Sequence, residues 1–212
     1  EQVEWPPKIT SGPCGVNKIL LITISGEDQA GVTAGITAIL SGYAVNILDI
    51  GQAVIHATLS LGLLVELPEA CASEEVAAAV RNFAMHRDLR VVTSEVANQS
   101  YTHWVEAQGR ARYIITLLAR KITADQLARV THVISHHGLN IDAIKRLSGR
   151  IPLGKLPALS KACLEFSARG ALRDPAAFRR ELLEVAGALE VDLAFQQDNM
   201  YRRNRRLVAF DM

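Results

Sequence analysis

The chain has 212 residues, 49% of them hydrophobic and 21% charged, with a formal net charge of +1. That length allows one large domain or two small ones, and the balance is ordinary for a soluble globular protein able to bury a core. So small a charge gives no bulk reason to expect nucleic acid or an anionic membrane as partner.

Three widely spaced cysteines, Cys14, Cys71 and Cys163, suit free thiols in a reducing compartment better than a disulfide framework. No run approaches about 18 apolar residues, and the N-terminus lacks a basic region followed by an apolar core. A cytoplasmic protein is expected. Glu1 stands where an initiator Met would, and the apolar run 207–210 stops two residues later at Met212. Both ends therefore read as cut.

Residues 1–16 carry three prolines and two glycines without periodicity and read as a flexible lead-in. The first organised stretch follows. Residues 19–24 form an apolar run suited to a buried strand, a polar turn spans 26–31, and Val32, Ile36, Ile39 and Leu40 then recur at helical spacing. A second strand begins near Val45, so a glycine-containing turn lies at a helix N-terminus. Unpaired backbone N–H groups and the helix dipole can hold an anion there.

Residues 53–67 suit one strand after a turn near His56, and Pro68 ends it. Ser73 before Glu74 and Glu75 reads as a helix start, with Val76, Val80 and Phe83 on the apolar face. Residues 89–96 close the unit. Strand, helix, strand, strand, helix, strand is a split pair of βαβ units, giving an α+β ferredoxin-like domain with an antiparallel sheet and both helices on one face. Residues 98–109 have weak periodicity and read as a linker.

The pattern then restarts. At an offset of 94 positions, Ala30, Ala34, Thr37, Ser41, Asn46, Ile47 and Ile50 meet Ala124, Ala128, Thr131, Ser135, Asn140, Ile141 and Ile144. Leu20, Leu21, Ile36 and Leu40 meet Ile114, Ile115, Val130 and Ile134, so core positions repeat with the identities. This is a duplicated domain. Thr123 and Gln126 make a capping box for the second copy's first helix, with Leu127, Val130 and Ile134 on its apolar face. A longer loop covers 147–157, and residues 158–168 supply the next strand. Asp174 with Pro175 starts a helix whose stripe is Phe178, Leu182, Val185 and Leu189, and 191–195 closes the sheet. The expected organisation is a lead-in (1–16), two domains (17–97 and 111–197) joined by a linker (98–110), and a tail (198–212).

The segment GEDQAGVTAGITAIL followed by VNILDIGQ resembles the ACT domain, a ferredoxin-like module that commonly binds amino acids and regulates metabolic enzymes. The tail DLAFQQDNMYRRNRRLVAFDM is similar to the junction in bacterial phosphoserine phosphatases, where tandem ACT domains lead into a haloacid dehalogenase catalytic domain. The resemblance implies that Asp211 corresponds to the phosphoryl-accepting Asp. The second Asp, the Lys and the Mg²⁺-holding carboxylates of that catalytic domain would lie beyond Met212, so Mg²⁺ belongs to the parent enzyme and no cofactor is expected in this chain. One carboxylate without metal does not support phosphoryl transfer, and the chain by itself is expected to be no enzyme.

By the same resemblance the ligand is an amino acid, L-serine being the natural choice as the product of the parent pathway, bound where two ACT units meet. Gly31 would let a carboxylate reach the N–H groups of Gly31 and Val32, Asp28 would face the ammonium, and Asn46 could bond either end. Asn140 is the equivalent of Asn46. The alternative is that Gly31 only makes a tight turn and Asp28 caps the helix. The second copy has Thr123, Ala124 and Asp125 in the corresponding places and no glycine, so the first copy is the stronger candidate.

A homodimer and the chain's own catalytic domain are the expected macromolecular partners, and a stand-alone double-ACT regulator similar to the glycine cleavage repressor type is the rival. His132 and His136 have metal-ligand spacing on a helix, with His137 beside them. No third ligand lies at motif spacing, and a helix-end role before Gly138 is expected, without metal. Arg202, Arg203, Arg205 and Arg206 read as a solvated interdomain linker, not a nucleic-acid surface.

Overall fold

The computed structural model describes residues 18–69, 71–150 and 161–198. The lead-in, most of the 147–157 loop, the arginine run and Asp211 fall outside these residues. The chain divides into two compact units, with the boundary in sequence between Trp104 and Val105.

The first unit contains β1 (Lys18–Glu27), α1 (Val32–Gly42), β2 (Asn46–Ile55), β3 (Thr58–Leu67), α2 (Ser73–Met85) and β4 (Arg90–Val96). Its antiparallel sheet has the order β2-β3-β1-β4. Alternation places Leu20, Ile22 and Ile24 of β1 and Leu59, Leu61, Leu63, Val65 and Leu67 of β3 in the core. Val32, Ile36 and Leu40 of α1 and Val76, Val80 and Ala84 of α2 cover that face at helical spacing. Each fully buried aliphatic side chain of this kind contributes about 1.5–3 kcal/mol. The ferredoxin-like order expected from the sequence is the order observed.

β2 differs from its neighbours. It is an edge strand ten residues long, and none of its side chains is fully buried. Ile47, Ile50, Val54 and Ile55 are all exposed. A long apolar edge of this kind is a template for pairing with another strand.

The segment read as a linker is a helix, α3 (Asn98–Gln108), with no buried residue. It lacks an apolar stripe because it buries none, which is why periodicity could not reveal it. The second unit continues with β5 (Arg112–Ala119), α4 (Ala124–His136), β6 (Asn140–Arg146), β7 (Ala162–Arg169), α5 (Pro175–Leu189) and β8 (Asp192–Gln197), in the sheet order β6-β7-β5-β8. Ile115, Leu117, Leu164, Phe166, Val130, Ile134, Phe178 and Leu182 form its core.

Details smaller than topology also repeat at 94 residues. The ladder shifts register between Ile47 and Asp49 in β2 and between Ile141 and Ala143 in β6, so Leu48 and Asp142 are equivalent bulges. Ala44 and Gly138 share a left-handed backbone, at φ 52° and 75°. The Thr37 hydroxyl donates to the carbonyls of Thr33 and Ala34, as Thr131 does to those of Leu127 and Ala128.

α2 starts at Ser73, with Glu74 and Glu75 in its first turn, as expected. Ala72 is its N-cap, and the Ser73 hydroxyl donates to Glu95 Oε1 at 2.7 Å. The other two starts hold as well. Thr123 and Gln126 form a reciprocal capping box, and Asp174 Oδ1 accepts from the N–H groups of Ala176 and Ala177. Asp174→Ala should therefore lower the stability of the second unit by about 1 kcal/mol, seen as a reduced midpoint in urea unfolding with an unchanged slope.

Candidate functional site

The turn after β1 is braced on two sides. The Asp28 N–H donates to the Ala57 carbonyl at the β2–β3 hairpin tip, and the Gln29 amide donates to the Arg87 carbonyl after α2. Gly26 passes so close to the α2–β4 corner that a Cβ there would stand 3.3 Å from the Asp88 carbonyl oxygen and 2.6 Å from Leu89 Cδ2. The backbone leaving this turn reaches α1 through Gly31, at φ 86°.

Gly31 is the N-cap of α1, and no side chain caps the helix. Asp28 therefore does not fill the capping role that the simpler reading gave it. The first-turn N–H groups, with the positive end of the helix dipole behind them, have no side-chain acceptor. Space around Gly31 is open: nothing lies within 4 Å of where its Cβ would be. The glycine is needed for its left-handed backbone, not for close packing. Val32 follows it, with its side chain 2% exposed in the core, so only its backbone can serve a ligand.

The second copy has resolved the same end differently. The Thr123 hydroxyl accepts from the Gln126 N–H, and Gln126 Oε1 accepts from the Thr123 N–H. Its own side chains occupy the donors that the first copy leaves open.

Asp28, Gly31 and Val32 are together at one end of the first sheet. Asn46 is not with them. It pairs with Glu66, which pairs with Ile19 at the start of β1, whereas the turn follows Glu27 at the end of that strand. That is roughly 25 Å of strand. The Asn46 amide donates to Glu66 Oε2 at 3.1 Å. Asn140 pairs with Arg169, which pairs with Arg112 at the start of β5, so it too is far from the start of α4. Within one unit the turn and its asparagine face opposite ends.

α4 and α5 make a second constellation that the sequence did not disclose. His137 Nε2 lies 2.7 Å from Glu181 Oε2, and His136 Nδ1 lies 3.6 Å from Glu181 Oε1. The group facing both imidazoles is Glu181, 44 residues from His137 and on another helix. No local spacing could signal it. The His137 ring meets Phe178 edge-on with centroids 5.1 Å apart. The hydrogen bond from His137 is the main reason that the Glu181 carboxyl is held below the usual glutamate range; burial opposes it, and the charge of both imidazoles when protonated adds to it. Beside it is a cavity of about 390 Å³ lined by His136, His137, Arg110, Gly138, Arg173 and Asp174 among others.

No helix among the described residues is long and apolar enough to cross a membrane. Two family models, each described as an ACT domain, match residues 18–94 and 111–196. The chain is 31% identical over 194 residues to a phosphoserine phosphatase of Streptomyces coelicolor, covering 91% of this chain and 43% of that protein. It is 30% identical over 201 residues to a phosphoserine phosphatase of Mycobacterium tuberculosis, covering 91% and 44%. The chain thus spans less than half the length of these curated relatives. A crystal structure of an unknown protein from Galdieria sulphuraria shares the fold at a TM-score of 0.70, with 14% identity over 86% of this chain and 99% of that one. The chain belongs to the ACT domain family, as two tandem copies consistent with the ACT region of a phosphoserine phosphatase.

Proposed function

We propose that the chain is the amino-acid-sensing and dimerisation region of a cytoplasmic phosphoserine phosphatase, with L-serine as its ligand. The observation that carries this reading is the contrast between the two helix starts: α4 is closed by its own capping box, and α1 is left open behind Gly31. An amino-acid carboxylate suits those N–H groups, and Asp28 provides a counter-charge for the ammonium. The names of the two curated relatives support the parent activity, which converts phosphoserine to serine. Mg²⁺ and the nucleophilic aspartate belong in this reading to the catalytic domain of the parent, which is also this region's partner.

The separation of Asn46 from Gly31 favours a site shared between two copies. If two exposed β2 edges pair antiparallel, the start of one lies against the end of the other. Asn46 of the second copy then approaches the turn of the first. The Thr33 hydroxyl of α1 donates to Gln52 Oε1 at 2.7 Å, so the open helix start stands directly beside that edge. Apolar Ile47, Ile50 and Val54 on the same edge give the pairing something to bury.

Calorimetry should detect L-serine binding to the chain and a loss of at least about tenfold in Gly31→Leu, whose left-handed backbone also costs about 1 kcal/mol in stability; no heat with any amino acid would leave the turn purely structural. Sedimentation should give a dimer, and Ile50→Lys should give a monomer that has also lost the ligand. A monomer that still binds serine normally would sink the shared site. Purified chain with phosphoserine and Mg²⁺ should show no turnover, and an ordinary enzymatic rate would refute the division between sensor and catalyst.

A further inference from the structure

The geometry points to a divalent transition-metal site at His136, His137 and Glu181, separate from the amino-acid turn. The ligand atoms of these three residues all lie within 4.8 Å of one another. Two imidazoles and one carboxylate are the donor set of borderline ions such as Zn²⁺, whereas Mg²⁺ and Ca²⁺ take oxygen. Bonds of about 2.0–2.2 Å in a tetrahedral arrangement put neighbouring ligand atoms roughly 3.3 Å apart. The imidazole nitrogens lie 2.7 and 3.6 Å from the two different oxygens of this carboxylate, on either side of that value.

The surroundings favour a cation in three ways. His137 is the C-cap of α4 and His136 its last residue, so both stand at the negative end of a 13-residue helix. Glu181 directs one carboxylate oxygen toward each of the two imidazoles. His137 is preset by its contact with Phe178, while His136, with a side chain 65% exposed, is free to turn onto an ion. The hydrogen bond between His137 and Glu181 explains those two residues as a structural clip. A second imidazole lies 3.6 Å from the other carboxylate oxygen. The adjoining cavity has room for water on the remaining coordination positions, and Arg110 and Arg173 in its wall would draw an anionic co-ligand to them.

Chelator-stripped, untagged chain should bind one Zn²⁺ in competition with a chromogenic chelator and should give tetrahedral visible absorption with Co²⁺. His136→Ala and Glu181→Gln should each weaken binding by about tenfold or more, with circular dichroism confirming that both variants fold. His132 is stacked on His136 with centroids 6.0 Å apart but is outside the trio. His132→Ala should retain the ion. Wild-type affinity no greater than that of Glu181→Gln would overturn the site, and so would loss of Zn²⁺ in His132→Ala with retention in Glu181→Gln.

Discussion

Each unit depends on its two central strands pairing in a register that turns one face wholly apolar. In the first unit Ile22 stands opposite Leu63 and Ile24 opposite Leu61, all four completely buried. A one-residue slip would send that whole set to the other face. The helices have no alternative surface to cover, because only this face offers an apolar match for Val32, Ile36, Val76 and Val80. Position of the turn follows from the same pairing: β1 ends beside the start of β3, so the residues after Glu27 emerge next to the hairpin tip, where Asp28 finds the Ala57 carbonyl.

The edge strand is where this economy breaks down. β2 hydrogen-bonds to β3 along its length yet adds no fully buried side chain, and its isoleucines and Val54 stay exposed. An edge with neither charge nor cover over most of its length suits association better than solvation. The proposed sensor uses that property, since pairing of edges would bring together the two ends that one unit keeps apart. Regulation of an enzyme through such a site requires the amino acid to bind the paired and unpaired states with different affinity.

The two copies keep some local details and differ in others. The bulge, the left-handed residue after the first helix and the threonine hydrogen bonds persist in both copies. The helix starts have diverged, one open behind a glycine and one sealed by Thr123 and Gln126. At the other end of the equivalent helix the second copy has acquired His136 and His137, where the first has Gly42 and Tyr43. The two copies therefore differ at both ends of the equivalent helix.

Sequence alone determined what is local or periodic: the strand and helix order, the 94-residue repeat, the capping box at Thr123 and the N-cap at Asp174. These follow from alternation, helical spacing and side-chain reach within one turn. It missed α3, whose eleven residues bury nothing and so leave no period to read. Only the tertiary structure decided distances between elements. It moved Asn46 about 25 Å from Gly31 along the sheet, left the start of α1 uncapped, and carried Glu181 across 44 residues to His137. Spacing along a chain constrains neighbours on one helix or strand, whereas contacts between elements are set by register and packing of the whole sheet.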